Sequence, residues 1–399
     1  MFRKILALLC VLVLAMGLCS QALAVETAPL VKQGDSKYDT LTGAELYELA
    51  KQETSPIVIY TQTSLMGKAV ENFLKDFPDV KVEYYDLGST EQFEKVQIET
   101  DTGNINGDVL LMDDGLGRIY AELYDGYVEA FYPDNVISHM DPALLEYGLT
   151  TYDALNIWFY NPLQYPDGSP ITTWWDVLER DESGKQKYQI YMSNPGTGAN
   201  LPVITNLLSY SKELEAAYEK RFGTPLEYTY DNTAVPVAEN NAAYEFFYRL
   251  AQMEIGFIKD GNDIMQAVGA ATEPALGFCT ANKLAVATDN GWPCAWVTQL
   301  DPYASMHNPK YMYVVSQTDN PAGARLPIHY LMGGDEGMNG AISAFSRLGT
   351  WFFRDDITDT VNPVQINDIS TVPQNSTVIY EEQLDVSDFW IYWSNHFTK

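Results

Sequence analysis

The stretch SPIVIYTQTSLMGKAVENFLKDFPDVKVEYYDL, residues 55–87, holds two strand-like runs on either side of an amphipathic helix. The run PIVIY is rich in β-branched residues, as buried strands are. Apolar residues of the next segment recur at helical spacing, namely Leu65, Ala69, Val70, Phe73, Leu74 and Phe77. Pro78 and Asp79 end this predicted helix, and VKVEYYDL alternates as a strand does. A strand, a helix and a strand predict a parallel pair with a right-handed crossover, the unit of an α/β fold.

Polar side chains follow each of the first three predicted strands. A second helix, from about residue 89 to 102, leads into the third strand, GDVLLMDDG. The polar residues at the three strand ends are Thr61, Thr63 and Ser64, then Ser89, then Asp113 and Asp114. Ligands of open α/β sheets bind at this edge, where helix N-termini present unpaired N–H groups. Helix capping is the alternative role for any single hydroxyl. A cluster of three at one strand end favours ligand binding.

The region after residue 151 repeats the arrangement of strand, polar loop and helix. ALNIWFYNP predicts a buried strand, and MSNPGTGAN ends another strand with Thr197 and Gly198 at the start of a helical segment. PALGFCTANKLAVATDNGWPCAWV predicts a further strand, helix and strand. A chain with 399 residues and 46% hydrophobic residues exceeds what one core usually holds, so we expect two lobes.

The charge balance excludes some classes of partner. The formal net charge is −30, whereas nucleic acid and anionic membranes require a basic surface. We therefore expect no nucleic-acid partner and no membrane-surface partner. The acidic surface favours solubility, with attraction of cations as the alternative.

The N-terminus has the pattern of a secretory signal peptide, residues 1–24. Arg3 and Lys4 precede an apolar run, and small residues lead to a predicted cleavage site after Ala24. The run is shorter than a membrane span needs, and Leu18 is a poor neighbour for a lipidated Cys19. We therefore expect a secreted or periplasmic protein that is soluble after cleavage.

Two cysteines remain after cleavage, Cys279 and Cys294. In an oxidising compartment they could form a disulfide that closes a short loop, and two buried free thiols are the alternative. No Cys or His cluster has metal-ligand spacing, so we predict no metal site and no cofactor.

The order of several motifs resembles the extracellular solute-binding proteins of ABC importers, and within them the ferric-ion-like group. The motifs are the stretch from VIYTQTS to VLLMDD, then WFYNP, TWWDVL, MSNPGTG, ALGF, NPAGARLPIHYLMGGDEG and LGTWFFRDD. The resemblance implies a type II periplasmic-binding-protein fold, with two α/β lobes joined by hinge segments around a ligand cleft. Pro327 departs from the expected helix in NPAGARLPIHYLMGG.

The resemblance also implies an organisation and a site. Residues 25–44 would be a leader, 45–150 the first part of lobe 1 and 151–299 lobe 2. Residues 300–345 would return to lobe 1, and 346–399 would be a C-terminal helical segment that packs on the lobes. Hinges would lie near YGLTTYDALN and WVTQLDPY. By the resemblance, the ligand-binding residues would be Tyr60, Thr61, Thr63, Ser64, Asp113, Asp114, Thr197, Gly198, Asn200 and Arg354. The strand-end pattern adds Ser89, and a polyamine ligand would add Trp292.

Several ligands fit this resemblance. Hydroxyls and helix N-termini favour an anion such as a sugar phosphate or phosphonate, with Arg354 as a bidentate partner. A polyamine would need acidic and aromatic walls, which Asp113, Asp114, Tyr60 and Trp292 could form. Iron binders of the group use adjacent tyrosines late in the chain, whereas Tyr84 and Tyr85 lie early, where we predict half-buried strand packing.

The implied partner is a membrane permease, and we expect a monomer that is not an enzyme. A secreted hydrolase is the hypothesis from another class. The sequence has no GxSxG, HExxH or P-loop motif, and its four histidines are scattered.

Overall fold

The computed structural model describes residues 35–119, 126–336 and 342–397. The predicted signal peptide lies outside these residues. After a first helix α1 (Gly43–Ala50), residues 55–87 form β1 (Ile57–Thr61), α2 (Met66–Asp76) and β2 (Val82–Asp86). α3 (Ser89–Thr102) then leads into β3 (Val109–Met112). β1 pairs in parallel with both β2 and β3, as the sequence predicts.

The first sheet is completed by strands from later in the chain, which pair in antiparallel fashion. These are β4 (Val128–Glu129), β5 (Leu149–Asp153), β12 (Pro309–Val315) and β13 (Trp351–Phe352). The strand order is β13-β5-β12-β3-β1-β2, and β4 pairs with β12. Two more helices belong to this lobe, α4 (Asp134–Ile137) and α10 (Pro321–Leu331). α10 runs through Pro327, so the helix continues where the sequence suggested an interruption.

The second sheet has the strand order β10-β6-β9-β7-β8. Its strands are β6 (Asn156–Tyr160), β7 (Gln189–Met192), β8 (Ile255–Phe257), β9 (Ala275–Thr280) and β10 (Ala295–Trp296). The helices of this lobe are α5 (Leu201–Asn206), α6 (Ser211–Phe222), α7 (Ala242–Leu250), α8 (Gly261–Ala270), α9 (Lys283–Asn290) and α11 (Ser376–Phe397). The segment TWWDVL forms a short 3₁₀ helix, Trp174–Leu178.

The chain passes between the two sheets three times. β5 ends at Asp153 in the first sheet, and β6 begins at Asn156 in the second. The return runs through β11 (Ser305–Met306), which pairs in parallel with β14 (Thr371–Val372) on the third passage. That third passage carries α11 to the second lobe, where it packs on α5 and α7.

The two faces of the first sheet bury separate cores, because successive side chains of a strand point to opposite faces. Ile57, Ile59 and Leu111 belong to one core, whereas Tyr60 and Leu110 belong to the other. The second lobe has one larger core, to which α11 contributes its buried residues Ile379, Val386, Phe389, Trp390 and Trp393. In the described part of the chain, no helix combines the length and the apolar character that crossing a membrane requires.

Of the two alternatives for the cysteine pair, the structure has the free thiols. Cys279 and Cys294 are not bonded to each other, and burial raises the pKa of each, that of Cys294 to about 12. Tyr84 and Tyr85 lie in β2 and are 45% and 47% exposed, so about half of each side chain is covered, as the sequence predicts. The other half is open because β2 lies at the edge of the sheet.

Candidate functional site

A cavity of about 560 Å³ lies at the carboxyl edge of the first sheet, between the two lobes. The start of α3 and the loop after β3 form its first-lobe wall. The second-lobe wall is the segment around Gly198, and Asn156, Met306 and Asn308 line it from the passages between the sheets. Two larger depressions, of about 870 and 720 Å³, are each lined by residues of a single lobe. Of these three, the interlobe cavity is the one that both lobes build.

An ion pair organises the first-lobe wall. Lys310 Nζ lies 2.8 Å from Asp113 Oδ2, and Ser89 Oγ donates to Asp113 Oδ1 at 2.6 Å. The Ser89 hydroxyl also contacts the side-chain amide of Gln62. Burial alone would raise the pKa of Asp113, but the Lys310 charge and these hydrogen bonds lower it to about 2. At neutral pH the first-lobe wall therefore carries the ionised carboxylate of Asp113, paired with the ammonium group of Lys310.

The N-terminus of α3 faces the same cavity. Its N-cap is Gly88, which has an extended backbone and no side chain to bond the first turn. The N–H groups of this turn are therefore left for solvent or a solute, and they carry the positive end of the helix dipole. Arg118 lines the cavity beside this turn. Glu91 in this turn and the nearby Asp113 and Asp114 add negative charge to the lining, so charges of both signs meet here.

Four predicted site residues line this cavity: Ser89, Asp113, Asp114 and Gly198. Asp114 is 2% exposed, and its Oδ1 accepts a hydrogen bond from the Ile119 backbone N–H at 2.9 Å. This bond shapes the loop that forms the wall. Gly198 has a φ of +59°, and its Cα faces open space, so the backbone is accessible from the cavity.

The hydroxyl cluster at the end of β1 serves the turn into α2. Thr61 is fully buried, and its Oγ1 accepts from the Thr63 N–H at 3.3 Å. Thr63 Oγ1 in turn accepts from the Leu65 N–H at 3.3 Å. Ser64 is exposed. None of these three residues is in the described cavity lining, and the bonds of Thr61 and Thr63 are those of local turns.

The structure places the other predicted site residues outside the cavity lining. Tyr60 is buried, and its hydroxyl donates to Glu99 at 2.8 Å. Thr197 precedes the 3₁₀ helix Gly198–Asn200, in which the Asn200 amide donates to the Ser193 carbonyl at 3.0 Å. Trp292 packs closely on Gly269 in the second lobe.

Arg354 is held within the first lobe. Its Nε and Nη2 donate to the two carboxylate oxygens of Asp356 at 2.9 and 2.7 Å. Its Nη1 donates to the carbonyls of Met332 and Gly334. The side chain is only 3% exposed. The guanidinium that the sequence suggested for a ligand is thus occupied by protein groups.

The sequence reasoning missed several cavity residues, among them Asn156, Asn308, Arg118 and Gln374. Asn156 and Asn308 lie where the chain passes between the lobes, at the edges of apolar strands. The sequence offered one signal for these residues, the amide of Asn156 at the start of the dense apolar run ALNIWFYNP. Gln374 reaches the cavity because the chain passes between the sheets a third time, and no local sequence pattern predicts that passage.

The described residues contain one group with the composition of a metal site, formed by His139, Asp355 and Asp356. His139 Nδ1 lies 3.0 Å from Asp355 Oδ1, and Asp356 is already paired with Arg354. The group lies on the surface of the first lobe and does not line the cavity. Its charges are largely satisfied by protein partners.

Comparison with known proteins identifies the fold. No family model matches the sequence, and no curated protein matches it. Among solved structures, apo ferric ion-binding protein A of Pasteurella haemolytica aligns with a TM-score of 0.60 at 11% identity, over 84% of this chain and 98% of that chain.

Two further structures align over similar lengths. The periplasmic binding protein AfuA of Actinobacillus pleuropneumoniae, with fructose-6-phosphate bound, has a TM-score of 0.57 at 13% identity, over 86% of this chain and 98% of that chain. The Trichodesmium protein IdiA (FutA), in complex with iron and citrate, has a TM-score of 0.57 at 14% identity, over 85% of this chain and 99% of that chain. At these identities the likeness shows the fold, which is the two-lobed type II periplasmic-binding-protein fold with a ligand cleft between the lobes.

Proposed function

We propose that this chain is the solute-binding component of an ABC importer. It would capture a small polar solute in the interlobe cavity and deliver it to a membrane permease from a secreted or periplasmic location. The observation that carries the proposal is a cavity of about 560 Å³ to which both lobes and the passages between them contribute. Such a cavity is large enough for a small organic solute.

We further propose that the solute is an anionic organic compound, of the sugar phosphate or phosphonate type. The uncapped first turn of α3 and the nearby Arg118 both favour negative charge at one end of the cavity. Hydroxyl and amide groups such as Ser89, Asn156 and Asn308 would bond the rest of the solute. Fructose-6-phosphate and citrate, which are present in two structural neighbours, are also anions with hydroxyl groups.

The lining supports an anion over a polyamine or an iron ion. A polyamine site would need both acidic and aromatic walls. Glu91, Asp113 and Asp114 supply carboxylates, but Phe93 is the one aromatic residue among the described lining positions. Tyr60 and Trp292 pack elsewhere. An iron site built from adjacent tyrosines would require Tyr84 and Tyr85 in the cavity, but they lie exposed on the edge strand.

Binding without catalysis is the role that the charges support. A carboxylate acts as a general acid near neutral pH only when its pKa is raised toward 7. The pKa of Asp113 is instead lowered to about 2 by its environment, with Lys310 as its partner. Release of inorganic phosphate from any bound sugar phosphate would contradict this role.

The test measures the thermal unfolding midpoint of the mature chain with a panel of solutes. The panel contains sugar phosphates, phosphonates, polyamines, ferric citrate and the matching unphosphorylated sugars. A solute at 100 times its Kd adds about 2.7 kcal/mol to the free energy of unfolding, which raises the midpoint measurably. We expect phosphorylated compounds to raise it and their unphosphorylated counterparts to have little effect. A shift with polyamine or ferric citrate alone would overturn the anion proposal.

A further inference from the structure

The loop that follows β3 is held by the C-terminal segment as well as by its own lobe. Gln374 Nε2 donates to the Asp114 carbonyl at 2.8 Å, and Gln383 Nε2 donates to the Leu116 carbonyl at 2.8 Å. Both acceptors are backbone groups of the loop that forms the first-lobe wall of the cavity. Gln383 itself is outside the cavity lining.

The donors are anchored in the second lobe. Ser387 Oγ donates to the Gly196 carbonyl at 2.8 Å, one helical turn after Gln383. A Cβ on Gly196 would lie 2.5 Å from Trp390 Cδ1, so the tryptophan packs directly on the second-lobe loop. The Asn375 N–H donates to Asn206 Oδ1 at 2.8 Å. The segment that bonds the first-lobe loop is therefore fixed to the second lobe.

Gly117 brings the backbones of the two lobes into direct contact. Its φ is +66°, and a Cβ there would lie 2.3 Å from the Ser376 carbonyl oxygen and 2.6 Å from the Tyr380 nitrogen. A real Cβ does not tolerate such distances, so any side chain at residue 117 would push the loop away from the start of α11. The approach depends on glycine for space as well as for its backbone conformation.

We propose that Gln383 and Gly117 are positioning residues for solute capture, which join the first-lobe cavity wall to the second lobe through α11. They would set the population of the lobe arrangement in which the cavity is assembled, before any solute is present. The inference rests on the proposed function, since the apparent affinity for a solute falls with the fraction of binding-competent protein. The contact itself can be tested without a solute.

The experiment measures the interlobe distance in the solute-free protein by pulsed electron spin resonance. Spin labels are attached at Lys75→Cys on the first lobe and Lys185→Cys on the second, both exposed positions, in a Cys279→Ala, Cys294→Ala background. The protein is unfolded and refolded before labelling to remove any solute that copurifies.

Each test variant has a matched control. Gln383→Ala removes the interlobe hydrogen bond, and Gln164→Ala removes amide bonds to the Ala271 and Glu273 carbonyls within the second lobe. Gly117→Ala has two effects, because the new methyl group would clash with the start of α11 and alanine would be strained at a φ of +66°. Gly103→Ala adds strain alone, because Gly103 has a φ of +68° with no atom within 4 Å of its Cβ position.

We expect Gln383→Ala and Gly117→Ala to shift the distance distribution toward longer values, while both controls match the parent protein. Loss of one hydrogen bond of typical net strength would change the ratio of the two populations by about 2- to 10-fold. Distributions that are the same for all variants and the parent would overturn the inference. Since no solute is used, this result would leave the solute-binding proposal to be judged by the panel alone.

Discussion

At the scale of single residues, Asp113 connects the cavity to the stability of the chain. Its pKa is lowered from the usual 3.8 to about 2, because the charged form bonds Lys310 and Ser89. A group whose pKa is lower in the folded state stabilises the protein above its unfolded pKa. This contribution is lost as the pH falls from about 4 toward 2.

We therefore predict that the parent protein loses about 2 kcal/mol of unfolding free energy between pH 4 and 2 that Asp113→Asn does not lose. The variant should also be less stable at pH 7, because it leaves the Lys310 charge without its partner. Urea unfolding across this pH range measures both effects. Asp289→Asn, at an exposed position, serves as the control for the general titration of carboxylates. Equal pH slopes in the parent and Asp113→Asn would contradict the prediction.

A second prediction separates a turn hydroxyl from a cavity hydroxyl. Thr63→Ala removes the acceptor for the Leu65 N–H, so we expect a loss of about 0.5–1.5 kcal/mol in stability with unchanged affinity for a sugar phosphate. Ser89→Ala removes a hydroxyl from the cavity wall, so the affinity should fall. Isothermal titration and urea unfolding of both variants give the two quantities. A loss of affinity in Thr63→Ala would instead place that hydroxyl at the solute.

At the scale of elements, His307 and Asp153 tie two passages between the lobes. His307 Nδ1 contacts the buried carboxylate of Asp153 at the end of β5, and Asp153 Oδ1 also accepts from the Asn308 N–H. Burial alone would lower the pKa of His307, but the Asp153 charge raises it above its usual value. The pair fixes the end of β5 against the segment that leads into β12.

The third prediction concerns this pair. Because the pKa of His307 is raised on folding, its contribution to stability is full below about pH 6.5 and is lost as the pH rises through the folded pKa. His307→Asn should remove that loss, so its unfolding midpoint should change less with pH above 6.5 than that of the parent. Thermal unfolding between pH 6 and 9 makes the comparison, with His396→Asn as the control on α11. If the midpoint of His307→Asn changes with pH as much as that of the parent, the charge of the imidazole does not stabilise the folded state relative to the unfolded state.

The elements of residues 55–112 could be predicted because their signals are local. Helical spacing, strand alternation and the Pro78–Asp79 stop all lie within a few residues of the structure that they specify. The position of β2 at the edge of the sheet could not be predicted in the same way, since it depends on whether a strand from elsewhere in the chain pairs with it. The paired state of Arg354 had a local signal in Asp356, two residues further along the chain.

At the scale of the whole molecule, the cavity needs segments that are far apart in sequence. Asn156, Asn308 and Gln374 come from three separate passages between the sheets, and no periodic pattern relates them. The sequence predicted an α/β fold with polar strand ends, and Ser89 and Asp113 do line the cavity. The remaining lining depends on how the lobes meet, which is a property of tertiary packing.

The last prediction concerns α11, which completes the second-lobe core although it comes at the end of the chain. Trp390 is 2% exposed and packs on Gly196, next to the loop that leads to Gly198 in the cavity. Trp390→Ala should lower the free energy of unfolding by about 3–5 kcal/mol, because a large buried side chain is lost and a cavity remains. Tyr392→Ala, at a side chain that is 43% exposed on the same helix, should change it by only about 0.5 kcal/mol. Urea unfolding followed by far-ultraviolet circular dichroism measures both. Similar losses in the two variants would mean that α11 contributes through helix formation alone and that its buried face is not part of the core.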